Sequence, residues 1–329
     1  MGVGRTGRTR AGLSPALGVL LLSALWAMDS LRPDLFPGFG ADALPSAERQ
    51  AVLFSIFAVM AAGVAAVRRI GFPRGRQAWA CAGVGLGLFA VPAAMETLAQ
   101  SWVSALDRVA VFSLTPVFAV VLEPYLEGSE PRRGRAALAG ALAGVAGILC
   151  LFPLDTPGSL RAATALCALA AAALGIAATN CLAVRLARNL KGGSAMPLAA
   201  LAGAAASGCF IAATVCAPRT AWRWSAAWSE LPWLLAVDLP ALLLLFWLMR
   251  RMAATRMTAR FLLAPLLAIL AGMALERSAP PLRGWIGMAL LAGGAGWLLL
   301  ARPENTEEEE MVSLKAPTAG WPRQPPPAD

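Results

Sequence analysis

The chain has 329 residues, of which 58% are hydrophobic and only 14% are charged, and its mean hydropathy is +0.64. These values exclude an ordinary soluble domain and indicate a polytopic membrane protein. The net charge of +9 does not predict a nucleic-acid partner, because the arginines lie between apolar segments rather than on a basic face interleaved with aromatic residues.

The N-terminal segment combines a polar, arginine-containing stretch, residues 1–10, with an apolar run over residues 11–28. This order is also typical of a signal peptide, with residues 24–27 as a loose match to a small-residue cleavage site. Trp26 lies inside that site, and many apolar segments follow it. We therefore predict a first membrane span that is retained.

Further apolar segments follow along the chain, and each is long enough to cross a hydrocarbon core of about 30 Å at about 1.5 Å per helical residue. With the first span they predict ten transmembrane helices. Their approximate bounds are 50–67, 77–98, 103–126, 136–153, 162–184, 194–217, 231–249, 258–275 and 284–301.

Arginine clusters set the predicted orientation. With ten spans, the clusters at 68–76, 132–135, 185–191 and 250–260 fall on the same side as the N-terminal arginines. Cytoplasmic loops carry such an excess, so we expect both termini in the cytoplasm and the protein in the cell inner membrane. Residues 302–329 contain a block of four glutamates and a proline run, which predict a disordered cytoplasmic tail.

The sequence contains an internal repeat. A shift of 149 positions places Phe112 on Phe261 and Pro116 on Pro265, and the match continues without a gap to Gly147 on Gly296. The two copies are five spans apart, so they enter the membrane from opposite faces. This pattern predicts an all-α protein built from two inverted five-helix repeats, residues 11–153 and 154–301, as in many secondary transporters.

One copy carries a family resemblance. Residues 104–127 contain a Ser/Thr-x-x-Pro motif at Ser113 and Pro116 and end in Glu127, and they resemble the fourth helix of EamA-type members of the drug/metabolite transporter superfamily. Met257–Glu276 resembles the ninth helix of that family. The sequence departs from the family pattern at residues 27, 126 and 275, where glycine is usual. The resemblance implies a ten-helix carrier that exports small metabolites or drugs.

Two prolines and two glutamates occupy matched positions in the copies. Pro116 and Pro265 fall within spans, where proline removes a helix hydrogen bond, and they are hinge candidates, with simple packing kinks as the alternative. Glu127 and Glu276 end the apolar runs and are candidates for a helix-end or gating role. Glycines in the helices that follow predict close helix packing: Gly140, Gly144, Gly147, Gly293, Gly294 and Gly296.

Two carboxylates are candidates for proton coupling. Asp238 lies roughly 10 Å into the eighth span at about 1.5 Å per residue, where a carboxylate is costly unless it faces a polar cavity or is protonated. Glu96 lies near the outer end of the third span, and its alternative is a solvated helix end.

Three further residues are candidates for the substrate pathway. Arg108, which follows Asp107, is an anchor for an anionic substrate or a snorkelling arginine, with Glu96 or Asp238 as its acidic partner. Asn180 binds either substrate or, as we favour, a neighbouring helix. Trp26 is expected to be an interface aromatic, with a cavity wall as the alternative.

The sequence therefore predicts a secondary transporter that moves a small organic solute by alternating access, in the direction of export, with proton coupling as the mechanism to test. The expected partners are the solute and the lipid bilayer, with a homodimer as an alternative to a monomer. The chain has no histidine and its six cysteines lack CxxC spacing, so we expect no enzyme active site, no metal and no cofactor. The alternative is an integral-membrane enzyme acting on a lipid or isoprenoid head group, for which Asp29, Asp34 and Asp42 are the nearest approach to an acidic cluster.

Overall fold

The computed structural model describes residues 14–32, 46–127, 134–154, 156–190, 193–216, 224–277 and 280–300. In these ranges the regular elements are all helices. The N-terminal residues 1–10, the tail 302–329, and Asp34 and Asp42 lie outside the described residues.

The helices follow the order of the apolar segments, and several of them are interrupted. They are α1 Pro15–Ser30; α2 Ser46–Val67; α3, made of Arg76–Gly85, Leu86–Ala90 and Val91–Ala99; α4 Ala105–Phe112; α5 Thr115–Glu127; α6 Gly134–Leu151; α7 Leu160–Asn189; α8 Met196–Cys216; α9, made of Trp224–Trp233, Leu234–Asp238 and Leu239–Met249; α10 Ala254–Thr258; α11 Arg260–Glu276; and α12 Leu282–Leu300.

Length and hydropathy identify a multi-pass membrane protein. Eight helical stretches in the described ranges are long and apolar enough to cross a membrane, when α4 with α5 and α10 with α11 are each taken as one stretch. The apolar helices α1 and α6 are shorter, with 16 and 18 residues. At about 1.5 Å per residue they reach about 24 Å and 27 Å.

A π-helical turn interrupts α3 at Leu86–Ala90 and α9 at Leu234–Asp238. A proline follows each turn by two residues, Pro92 in α3 and Pro240 in α9. Proline has no N–H to donate to the carbonyl four residues earlier, and its ring crowds that carbonyl, so the wider π turn relieves the clash. The turns are 148 positions apart, one fewer than in the sequence repeat, which is why an ungapped comparison does not align them.

The repeated segment is broken in both copies. The first copy is divided into α4 and α5 at Ser113 and Leu114, and the second into α10 and α11 at Ala259. Pro116 is therefore the second residue of a new helix, directly after the break, and it lies in the middle of the span 105–126 as expected. Pro265 does lie inside α11, and α5 contains a further proline, Pro124.

Helix packing joins the two halves of the chain. Counted along the chain as ten apolar spans, the second span (α2) packs along the seventh (α8), and the fifth (α6) along the tenth (α12). The first span (α1) packs against α11 of the ninth, and α5 of the fourth packs against the sixth (α7). These four pairs are unchanged when the first five segments are exchanged with the last five. The packing of the third segment (α3) along the seventh is not, because the eighth (α9) has only a small contact with the second.

Glycines permit the closest of these contacts. A Cβ at Gly294 of α12 would lie 2.5 Å from the backbone oxygen of Gly140, and one at Gly147 of α6 would lie 2.6 Å from that of Gly287. The predicted packing role is thus correct for these glycines. It is wrong for Gly293 and Gly296, because a Cβ at either meets no described atom within 4 Å.

Candidate functional site

A cavity of about 660 Å³ lies between the two halves of the bundle. It extends from Arg260, at the start of α11, to Ser30 and Glu96, which are exposed at the bundle end where α1 and α3 end. Most of its wall is apolar. The wall includes phenylalanines from both halves: Phe54, Phe89, Phe112, Phe152, Phe210 and Phe261.

Arg260 is the largest fully buried side chain among the described residues, with 1% of its surface exposed. Its Nη1 donates to the backbone oxygen of Met257 at 3.2 Å, and its Nη2 donates to Asn180 Oδ1 at 3.0 Å. The Nε atom has no hydrogen-bond partner in the described part of the chain. None of the ion pairs found there involves Arg260 either. Arg260 was counted with the cytoplasmic arginine cluster, and the structure places it, buried, at the first residue of α11.

Two aromatic rings flank the Arg260 guanidinium. Its Cζ lies 5.1 Å from the centroid of the Trp26 ring and 4.8 Å from that of Phe261. The negative faces of aromatic rings attract a cation, most strongly where water is excluded. Trp26 is among the residues that line the cavity, which is the alternative stated for it.

Asn180 is oriented toward Arg260 by a second hydrogen bond. Its Nδ2 donates to the backbone oxygen of Ile176, one turn earlier in α7, at 2.9 Å, so Oδ1 is left to accept from Arg260. The bond joins α7 to α11, which agrees with the favoured interpretation that Asn180 binds a neighbouring helix. The same bond also places Asn180 next to Arg260, at the base of the cavity.

A group of five ionisable side chains lies beside the cavity mouth, and we call it the mouth cluster: Asp29, Arg32, Arg49, Glu230 and Asp238. Arg49 Nη2 lies 2.6 Å from Asp29 Oδ1 and 2.7 Å from Asp238 Oδ2, and its Nε lies 3.3 Å from Glu230 Oε2. Arg32 pairs with Glu230 at 3.3 Å. The cluster thus holds three acids and two arginines, drawn from helices of both halves.

Trp233 connects this cluster to the rest of α9. Its Nε1 donates to Asp29 Oδ1 at 3.0 Å, and Arg32 Cζ lies 5.8 Å from its ring centroid. Asp238, predicted as a costly buried carboxylate, has 8% of its surface exposed and is compensated by Arg49. It belongs to the mouth cluster and is not among the residues that line the cavity.

A second ion pair involves Glu96, which lines the cavity. Arg108 Nε is 3.8 Å from Glu96 Oε1, and the Glu96 side chain is 52% exposed. Of the two acids expected to pair with Arg108, the structure brings Glu96 to it and not Asp238. Ser104 caps α4 by accepting from the Asp107 backbone N–H at 3.0 Å, while its hydroxyl donates to the Asp107 carboxylate at 2.7 Å.

The two copies of the repeat differ in the contacts of the backbone carbonyl that lies four residues before the proline. Pro116 cannot donate to the Phe112 carbonyl, and the Thr115 hydroxyl donates to it instead at 2.7 Å. Pro265 likewise cannot donate to the Phe261 carbonyl, and the matched residue Ala264 has no hydroxyl. Ala264 and Pro265 line the cavity, whereas Thr115 and Pro116 do not.

The helix-end glutamates lie where the sequence placed them along the chain. α5 ends at Glu127 and α11 at Glu276. The Glu276 side chain is exposed, and Arg277 follows it in the left-handed conformation at φ 51°. The Glu127 side chain lies outside the described part of the structure. Glu276 is not among the residues that line the cavity.

Four charged residues of the site were not predicted from the sequence: Arg32, Arg49, Glu230 and Arg260. Arg49 and Glu230 each lie one residue before an apolar segment, where a charged residue is common. Arg260 lies inside the segment 258–275, and its position within an apolar run was the signal that should have marked it.

Comparison with known proteins identifies the fold and no family. No family model matches the chain, and no curated protein matches it. A solved crystal structure of a protein with 22% sequence identity is similar, with a TM-score of 0.69 over 88% of this chain and 100% of that one. At this identity the likeness extends to the fold alone.

Proposed function

We propose that this chain is a secondary transporter of the cell inner membrane that exports a small organic solute by alternating access. The observation that carries the proposal is the cavity of about 660 Å³, which is bounded by helices of both halves and contains one buried arginine. Its volume lies within the range of about 300–1,000 Å³ that is usual for small-molecule sites.

The packing pattern supports a ten-span architecture with two inverted repeats. The spans pair second with seventh, fifth with tenth, first with ninth and fourth with sixth, and exchange of the halves preserves these pairs. The paired π turns of α3 and α9 add a second correspondence outside the sequence repeat. Two halves that are related in this way can exchange conformations, which is the basis of alternating access in inverted-repeat carriers.

The two copies of the repeat contribute unequally to the cavity, as expected for a carrier in a conformation that is open at one end only. Phe112 and Phe261 are equivalent in the repeat and both line the cavity, but the residues that follow line it only in the second copy. If the halves exchange conformations, Thr115 and Pro116 become cavity residues and the cavity opens at the other end of the bundle. The motif around Pro116 and the span count also support membership of the EamA-type drug/metabolite transporters.

The mouth cluster supports proton coupling through Asp238. Among the described residues of the cluster, three acids share two arginines, so one carboxylate is in excess there. An excess carboxylate in a largely buried site is where a proton is taken up at the lowest cost. Protonation of Asp238 would weaken its bond to Arg49 and loosen a contact between α2 and α9.

The proposal is tested in two stages. Metabolites are compared inside and outside cells that contain or lack the full-length protein, and we expect at least one small solute to shift to the outside when the protein is present. That solute is then loaded into vesicles with the purified protein, where labelled and unlabelled solute should exchange. The transport proposal is refuted if the protein shifts no solute in cells, or if the solute that shifts in cells does not exchange in vesicles.

A further inference from the structure

We infer that the central cavity binds the anionic group of a small organic monoanion, a carboxylate or a sulfonate, through Arg260, with the apolar body of that ligand against the phenylalanine-lined wall. This inference rests on the proposed transport function, since it names the class of solute that the cavity takes. Among the described residues, the structure brings to one place a buried cation with no acidic partner, N–H groups with no acceptor, and an apolar enclosure.

The charge of Arg260 requires a partner. An arginine removed from water is costly to bury unless an opposite charge or several hydrogen bonds compensate it. The described acids at the cavity mouth are already engaged, because Asp29 pairs with Arg49 and Glu96 pairs with Arg108. Arg260 instead has an amide oxygen, a backbone oxygen and two ring faces, none of which carries a full negative charge.

The hydrogen-bonding capacity of Arg260 is also only partly used. A guanidinium has five N–H groups, and in the described contacts one goes to Met257 and one to Asn180. Three remain, including the Nε proton, whose nitrogen has no partner there. A planar carboxylate can accept two parallel N–H bonds from a guanidinium edge, which is the strongest geometry available to such a pair.

The rings hold the guanidinium in place for a ligand. Trp26 and Phe261 flank it, with their centroids 6.2 Å apart, and the Asn180 amide fixes a third direction. A side chain held in this way loses little freedom when a ligand binds, so less of the binding energy is spent on ordering it. The remaining wall is mainly aromatic and aliphatic, which suits an apolar ligand body and offers little to a polyanion.

The test is a binding experiment on the purified full-length protein in detergent. The probes are phenylacetate, 2-naphthoate and naphthalene-2-sulfonate, each compared with its neutral carboxamide or sulfonamide of nearly the same shape. Binding is measured by calorimetry and by the rise in thermal unfolding temperature. We expect at least one anion to bind and its neutral counterpart to bind at least about thirtyfold more weakly, since removal of one member of a buried charge pair has an effect of about that size or more.

Two variants locate the site. Arg260→Gln removes the cation and should abolish the preference for the anion. Asn180→Asp keeps Arg260 but places a carboxylate where the Asn180 oxygen now accepts from Nη2 at 3.0 Å. That internal anion should raise the unfolding temperature of the ligand-free protein and abolish anion binding. Asn180→Asp still tests the anion site if Arg260→Gln does not fold. Arg161→Gln, which removes an exposed arginine that does not line the cavity, is the matched control and should bind the anion as wild type does.

The inference is overturned if no anion binds better than its neutral counterpart, or if Asn180→Asp binds the anion as tightly as wild type does. In either case Arg260 is a structural residue held by its rings. The outcome is separable from that of the transport proposal. Vesicles that exchange only neutral solutes would support the transport proposal and refute the anion site. Anion binding without exchange of the bound anion would support the anion site and refute the transport proposal.

Discussion

Arg49 and Asp238 are 189 positions apart in the sequence, and Nη2 of the first lies 2.7 Å from Oδ2 of the second. The bond joins α2 of the first half to the last residue of the π turn in α9 of the second half. Both side chains are mostly buried, with 17% and 10% of their surfaces exposed. A bond between halves at the cavity mouth is well placed to respond when the halves move.

The first prediction concerns the proton. Asp238→Asn has nearly the shape of a protonated Asp238 and removes the excess negative charge of the mouth cluster, so we expect a folded protein. Uptake of the exported solute into vesicles should no longer respond to an imposed pH gradient. Glu96→Gln is the control, because Glu96 is more than half exposed and should keep the response. A full response to the gradient in Asp238→Asn would refute coupling through this residue.

Asp238 shows what sequence could predict of the site. A carboxylate inside an apolar run stands out, and Asp238 was found on that ground alone. Its partner Arg49 could not be found in the same way, because it lies at a helix end, where arginines are common on the surface. The pairing depends on how α2, α9 and α1 come together, and that arrangement is set by packing over many residues rather than by a local pattern.

The fold, like the site, was predictable from the sequence only in part. Apolar segment lengths predicted the helices, and the repeat predicted that the fourth and ninth spans correspond. Pro116 and Pro265 were predicted as helix-break or hinge candidates, but the positions of the breaks, Ser113–Leu114 and Ala259, were not, because a proline does not specify on which residue a helix ends. The π turns were also missed, because a proline within an apolar segment predicts a kink without specifying its kind.

The second prediction uses two adjacent glycines of α12. Gly294→Ala would place a Cβ 2.5 Å from the Gly140 backbone oxygen, and backbone atoms cannot move aside cheaply. We expect a loss of roughly 1–3 kcal/mol in the free energy of unfolding, the usual cost of overpacking. Gly293→Ala is the control, because a Cβ there meets no described atom within 4 Å, and it should cost nothing. Unfolding of the detergent-purified variants measures both, and equal effects would mean that α6 and α12 do not pack in this register.

The third prediction concerns the ring over Arg260. Trp26→Leu removes an aromatic face that lies 5.1 Å from the guanidinium carbon, a contact worth on the order of 2 kcal/mol when water is excluded. We expect unfolding free energy to fall by about that amount. Trp228→Leu changes a tryptophan that is 70% exposed and should have an effect within about 0.5 kcal/mol. If the two variants were equally stable in denaturant titration, Trp26 would not support Arg260.

The fourth prediction decides whether the short helix α6 crosses the membrane. In the ten-span topology, the loop after α2 lies in the cytoplasm and the loop after α6 lies outside, so Gly71→Cys and Gly158→Cys should react with an impermeant thiol reagent from opposite sides. Both positions tolerate a side chain, because a Cβ at either meets no described atom within 4 Å. The six native cysteines are free in the structure and are first replaced by alanine. If α6 fails to cross, both positions react from the same side. In that case the two copies of the repeat no longer contribute matching pairs of spans, and alternating access through inverted halves is ruled out.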